Sequence, residues 1–204
     1  MIYLYIWLDF VNWKVICTIF VRVKSEDISK IADGDEMVFT RFMEHYSTRL
    51  YYYAYGLLGQ KEMAEEVVSD VFFEVWKNRK GLVQIEYMNA WLQTITYRKS
   101  ISYLRKETGK NELSFDEISD FSFEPVQSPD EEIISKEEVA EINNAIEKLP
   151  PKCKHVFFLA KIEGLPYIKI AEMLEVSVQT VNYHIAYAIE ALSKSLKIAS
   201  PKKK

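Results

Sequence analysis

Gln179, Asn182 and Tyr183 stand three and four residues apart in the stretch that follows Ser177. A helical period places them on one face. Gln and Asn amides pair bidentately with adenine edges, and Thr180 can contact a phosphate or a thymine methyl. The N-terminus of such a helix also favours phosphate. The chemistry on offer is recognition of a duplex, not bond making. A second block carries charge. Residues 77–106 hold 7 basic and 1 acidic residue, net +6, interleaved with Tyr87, Trp91, Tyr97 and Tyr103. Immediately before it, residues 25–76 hold 4 basic and 11 acidic residues, net −7. The overall charge of −4 therefore hides opposed blocks, and it is no argument against a nucleic-acid partner.

Other chemistries are not provided for. Cys17 and Cys153 stand far apart with no CxxC spacing, which excludes a disulfide framework or a zinc site built on paired cysteines and suits a reducing cytoplasm. His45, His155 and His184 are scattered, and no HExxH, GxSxG, Walker or GxGxxG pattern occurs. No metal, cofactor, catalytic residue or small-molecule substrate is expected.

The elements that must position these residues read as all-α: two small helical domains joined by an acidic linker. Residues 1–24 form an apolar leader, broken by Asp9, Asn12 and Lys14. Its longest apolar run is too short to span a bilayer, and it lacks the features of a signal peptide. The expectation is a non-native start, with the folded protein beginning near Ser25 and no stable membrane insertion. Over 35–58, Val38, Phe39, Phe42, Tyr46, Leu50, Tyr53 and Leu57 recur at three and four, an amphipathic helix that Gly59 ends. Ala64, Val67, Val68, Val71, Phe72, Val75 and Trp76 form a second stripe over 61–79, stopped by Gly81. A third helix starts near Asn89 as N-cap and runs to about Lys106. Its apolar face is clear at Trp91, Leu92 and Ile95. Beyond Thr96 basic and aromatic residues lie on most sides, so that half does more than pack a core.

Residues 109–132 read as the linker, acidic and carrying Pro125 and Pro129. Phe115, Phe121 and Phe123 are anchors that either dock on a partner or pack on their own domain. A helix over 131–148 follows, broken at Pro150. Pro151 suits the first turn of the next helix, which Gly164 ends. Ile168, Ala171 and Leu174 then mark a two-turn helix, and Glu175, Val176 and Ser177 a tight connection with Ser177 as N-cap. The last helix places Val178, Val181, Ile185, Ala188, Ile189 and Leu192 on one face. Small Ala171 permits a close helix crossing, and a buried Val176 would fix its angle. This is a helix-turn-helix with a polar reading face; the competing reading is a plain helical hairpin with a solvated face. Glu175 occupies a position where such turns often hold glycine in a left-handed conformation.

These residues resemble a known family, the sigma-70-type RNA polymerase factors. The Leu-Pro-Pro start at Leu149, Glu-Gly-Leu at Glu163, Ile-Ala-Glu at Ile170 and Ser-Val-x-Thr-Val at Ser177 are similar to region 4. GQKEMAEEVVSDVFFEVWKNR and NAWLQTITYRKSISYLRK are similar to region 2. Counterparts of regions 1.1 and 3 are missing, which points to the extracytoplasmic-function (ECF) subfamily. The resemblance implies domains of region 2 over 25–108 and region 4 over 133–197, with a basic tail over 198–204. It implies core RNA polymerase binding by Glu65, Glu66, Asp70, Phe72, Phe73, Glu74 and Trp76, with at least one of Phe72 and Trp76 serving the core instead. It implies capture of melted minus-10 DNA by Arg79, Lys80, Tyr87, Trp91, Tyr97, Arg98, Lys99, Tyr103, Arg105 and Lys106. It implies duplex minus-35 contacts by Ser177, Gln179, Thr180, Asn182, Tyr183, His184 and Tyr187. An anti-sigma factor, often membrane-bound, is implied as a further partner, and the cytoplasm as location. Arg98 and Ser102 stand where the family commonly has Asn and Asp, and Tyr187 where it commonly has Arg, so base preference is expected to differ. The rival reading is a LuxR-like helix-turn-helix regulator acting without replacing sigma.

Overall fold

The computed structural model describes residues 25–109, 115, 121 and 136–196, with no side-chain detail over 136–139. The leader, Phe123 and the basic tail lie outside the described residues. Every regular element among those described is helical. They divide into two compact units, 25–109 and, from Phe115 onward, the remainder.

The first unit opens with α1 (Ser25–Asp33), which turns Ile28 and Ile31 inward. Asp35 caps α2 (Glu36–Leu58) by accepting the Val38 N–H at 3.0 Å. All seven residues of the expected α2 stripe are buried. Gly59 closes that helix in the left-handed region (φ 67°) and donates its N–H to Tyr55 O at 2.8 Å. In α3 (Lys61–Lys77), Ala64, Val67, Val71, Phe72 and Val75 are buried, while Val68 and Trp76 are half-buried against the same core. A 3-10 turn (Arg79–Gln84) follows, with Leu82 buried beneath it. It occupies what the sequence suggests is simply the end of α3 and a loop.

The next helix, α4 (Met88–Thr108), starts earlier than expected. Tyr87 holds the N-cap position without a side-chain bond, and Asn89 lies inside the first turn instead of capping it. α4 packs against both α2 and α3. Beyond the expected Leu92 and Ile95, it also buries Gln93, Thr96, Tyr97, Ser100 and Ile101. The Thr96 hydroxyl donates to Leu92 O at 2.9 Å, so a polar side chain is carried inward with its bond made.

In the second unit, α5 (Lys136–Glu147) covers the described part of the expected 131–148 helix. α6 (Pro151–Phe157) begins with proline in its first turn, as expected, and then widens into a π-helical turn (Phe158–Ile162) instead of continuing as α-helix to Gly164. Residues 153–160 are all buried. Lys154 lies among them and its Nζ reaches Glu147 at 2.7 Å, so the buried stem ends in an ion pair at the half-exposed Glu147. Phe115 and Phe121 pack on this unit: Phe121 stacks on His155 with centroids 4.5 Å apart and meets Phe158 at 5.5 Å. Of the two roles open to these phenylalanines, packing on their own unit is the one seen. Among the described residues no helix is long and apolar enough to cross a membrane.

His155 is fully enclosed, and desolvation pushes its pKa down to about 3. Its folded value lies below the unfolded one, so the unfolded state binds the extra proton. Stability contributed by the neutral ring is complete above about pH 6.5 and is lost as pH falls from there towards 3. Urea unfolding at pH 7.5 and 5.5 is expected to show a pH-dependent loss that His155→Phe diminishes.

Candidate nucleic-acid interface

The second unit builds its reader from α7 (Tyr167–Leu174) and α8 (Val178–Ser195). Glu175 takes the left-handed conformation (φ 57°, ψ 39°), the only non-glycine among the described residues to do so. Its N–H and that of Val176 both reach Ala171 O, the latter at 3.1 Å. Ser177 then accepts the Thr180 N–H at 3.0 Å and caps α8. Val181, Ile185, Ala188 and Leu192 bury the inner face of α8.

Several expected placements change. Val178 is 40% exposed and Ile168 57% exposed, so neither serves the core. Val178 opens the first turn, where no neighbour yet covers the helix, and Ile170 and Met173 supply the burial expected of Ile168. Val176 is half-buried; the turn is fixed by its backbone bonds and by Ala171 and Leu174 beside it. His184 points into its own unit, with Nδ1 3.2 Å from Cys153 Sγ and the ring against Phe115 at 5.9 Å. Of the residues expected to contact the duplex, it is half-buried and held by these contacts within its own unit. Burial pushes the Cys153 thiol pKa up, so this sulfur is a poor thiolate. Thr180 is half-buried, its Oγ1 2.8 Å from Ser177 Oγ. Gln179, Asn182, Tyr183 and Tyr187 remain exposed and form the outer surface. Asn182 Nδ2 donates one of its two N–H groups to Val178 O at 2.9 Å, a bond that uses neither its second N–H nor Oδ1.

In the first unit, α3 and α4 lie side by side and join the two charge blocks. Lys99 Nζ is 3.0 Å from Glu74 and 4.0 Å from Asp70. The Tyr103 hydroxyl donates to Asp70 at 3.5 Å, and Lys106 Nζ lies 5.4 Å from the Tyr103 ring centre. Burial, then the charges of Asp70 and Glu66, push the Tyr103 pKa up. Each such half-exposed pair is worth about 0.2–1 kcal/mol, weak enough to be exchanged for a partner.

The expected strand-contact residues thus divide. Lys80, Tyr87, Arg98, Arg105 and Lys106 are exposed. Trp91 and Tyr103 are half-buried against the core. Tyr97 is only 7% exposed, so its ring is covered and does not face solvent as an expected strand contact would. Arg79 turns back over Trp76, with Cζ 4.7 Å from that ring. On α3, Glu65, Glu66 and Asp70 are exposed and Glu74 half-exposed. Phe72 is 8% exposed and meets Phe39 edge-on at 6.5 Å, which assigns it to the core. Trp76 also packs on Phe39, at 4.8 Å. The aromatic that α3 presents outward is Phe73, 68% exposed. Met37 and Val83 are exposed apolar residues that the sequence reading missed; both lie off the helical stripes, where periodicity has nothing to say.

Comparison with known proteins adds to this geometry. The family described as "Sigma-70 region 2" matches residues 42–109, and "Sigma-70, region 4" matches residues 140–192. The ECF RNA polymerase sigma factor SigW of Bacillus subtilis is 26% identical over 177 residues, covering 83% of this chain and 95% of that protein. SigK of Mycolicibacterium vanbaalenii is 23% identical, covering 84% and 88%. Two solved structures share the fold at a TM-score of 0.53. One is CnrH in complex with the cytosolic domain of CnrY, at 19% identity, covering 87% of this chain and 99% of that one. The other is the sigma factor RpoE of Bartonella quintana in complex with the anti-sigma factor NepR, at 18% identity, covering 79% and 98%.

Two outcomes test the α8 turn and surface. Glu175→Gly is expected to stabilise the protein by about 1 kcal/mol in urea titration, by relieving the left-handed backbone. Gln179→Ala is expected to cost about 1–3 kcal/mol of binding to a cognate duplex and little on unrelated DNA, measured by fluorescence anisotropy. Equal losses on all sequences would mark Gln179 as a backbone contact.

Proposed function

The chain belongs to the sigma-70 family of transcription initiation factors, within the ECF group, and from that premise we propose how its residues divide the work of starting transcription. The outer face of α3 binds core RNA polymerase. Glu65, Glu66 and Asp70 supply charge complementarity to a basic partner and speed encounter, and Phe73 supplies the apolar anchor. The exposed residues Lys80, Tyr87, Arg98, Arg105 and Lys106 hold the melted minus-10 strand. Unstacking costs a few kcal/mol per base, and aromatic stacking returns about 1–3 kcal/mol, with cations along the backbone. Gln179, Asn182, Tyr183 and Tyr187 read the minus-35 element as intact duplex in the major groove. The chain performs no covalent chemistry; polymerase makes the RNA.

The observation that carries this reading is the division of surface on one helical bundle. The acidic residues and Phe73 lie on α3, while the exposed cations lie on α4 and the turn before it. The in-order region 2 and region 4 matches weigh against a LuxR-like regulator, which would place a sensor where region 2 stands. Residues 109–132 serve as the link between the two DNA-binding parts, with Phe115 and Phe121 on the region 4 side. Control by an anti-sigma protein in the cytoplasm fits the RpoE–NepR likeness in fold.

The assignment is tested with purified core polymerase. Asp70→Ala with Phe73→Ala is expected to weaken binding of the chain to polymerase by about 2 kcal/mol or more, the scale of an interface anchor. Phe72→Ala is expected to act through stability instead, losing about 3–5 kcal/mol in denaturation. Unchanged polymerase affinity in the double variant would remove α3 from the interface. Absence of promoter-specific transcripts from a folded wild-type chain with core polymerase would defeat the initiation reading.

A further inference from the structure

Arg79 stands in the basic block beside the strand-binding residues, but its guanidinium is committed inward. Nη1 donates to Trp76 O at 3.1 Å. Cζ lies 4.7 Å from the Trp76 ring centre. Nε is buried and makes no hydrogen bond within the described structure. The end of α1 closes over it: a side chain placed on Gly34 would meet Nε at 3.9 Å. Trp76 is in turn backed by Phe39 of α2 at 4.8 Å. Phe39, Trp76 and Arg79 thus form a contact chain at the point where α3 ends and the 3-10 turn begins, with the Phe39 and Trp76 rings tilted by 39°.

Two physical effects favour arginine at that position. A cation beside the last carbonyls of α3 meets the negative end of the helix dipole. A planar guanidinium covers an indole face while its fork reaches a carbonyl, which a lysine ammonium cannot do in one pose. The turn is then pinned at both ends, by Arg79 at its start and by Leu82, 1% exposed, near its close. Between and after these pins, Lys80, Val83 and Gln84 are turned outward.

We infer that Arg79 is a positioning residue: its clamp on Trp76 sets the 79–84 turn in the shape that the melted strand meets, and the DNA backbone is gripped by its neighbour Lys80. The inference rests on the initiation reading above and replaces the expected strand contact at Arg79. It separates two roles that a basic run in sequence cannot separate.

The test uses the full chain with core polymerase on a forked promoter template carrying 2-aminopurine in the minus-10 element. Fluorescence reports base capture, and its salt dependence reports phosphate contacts. Arg79→Ala and Arg79→Lys are both expected to reduce base capture by about five- to tenfold, the scale of a partly desolvated cation–π contact. Polymerase affinity, upstream duplex binding and the salt slope stay at wild-type values. Lys80→Ala is expected to lower the salt slope by about one. Trp76→Phe keeps the packing on Phe39 but shrinks the face under Arg79, and is expected to lose base capture in the same step. With Arg79→Lys it carries the test if Arg79→Ala does not fold. Restoration of base capture by Arg79→Lys, with a slope lowered by about one in Arg79→Ala, would overturn the inference in favour of a direct phosphate contact. Wild-type behaviour in all Arg79 and Trp76 variants would overturn it as well. A wild-type chain that captures no base with core polymerase would overturn the initiation reading itself, and the inference with it.

Discussion

The packing of α4 between α2 and α3 governs the first unit. Leu92, Thr96 and Ser100 are almost fully enclosed, and Ile95, Tyr97 and Ile101 nearly so. Truncating one large apolar residue in such a site, Leu92→Ala for instance, costs about 2–5 kcal/mol, a large part of a small domain's stability. With α4 fixed this way, its remaining side chains have only two places to go. Some reach the flank of α3, as Lys99 and Tyr103 do with Glu74 and Asp70. Others, such as Arg98, Arg105 and Lys106, face solvent. The acidic and basic blocks are thereby held on neighbouring helices of one rigid core. Neither charge set is buried, which the proposed polymerase and strand contacts both require.

The second unit solves a different problem, the aim of one helix. Its direction is set over three residues. Glu175 turns the chain through the left-handed region, and Ser177 caps the helix that follows. The backbone strain at Glu175 is on the order of 1 kcal/mol, the scale of the capping bond at Ser177. Buried Val181, Ile185 and Ala188 then lock rotation about the α8 axis. Gln179, Asn182 and Tyr183 keep their outward face because the opposite face has no other place to pack.

How much of this was legible depends on how many sides of a helix are covered. The α2 stripe was readable residue by residue, since a helix buried along one face leaves a 3.6-residue period in its sequence. The same held for most of α3 and for the inner face of α8. It failed for α4, where two neighbours bury polar and aromatic residues together, so the blurred period after Thr96 reflected double cover as well as surface chemistry. Tyr97 lies in that blurred half and is buried, which the period did not indicate. Phe72 falls on the α3 stripe and its adjacent twin Phe73 falls off it, and the packing of Phe72 on Phe39 bears that difference out. His184, Phe115 and Phe121 were settled by contacts distant in sequence, which local patterning does not encode. Ser177 and Glu175 were readable because capping and left-handed turns are local events with local residue preferences.

The proposed division of labour holds one promoter in two physical states, opened under the first unit and closed under the second. The most direct measurement maps both on a single template bound by the reconstituted polymerase complex, with hydroxyl-radical cleavage for the duplex and permanganate for unpaired thymines. Protected, unreactive duplex around minus 35 is expected together with permanganate-reactive thymines around minus 10. A template protected at both elements yet unreactive throughout, or one opened at minus 10 with the upstream element unprotected, would contradict it.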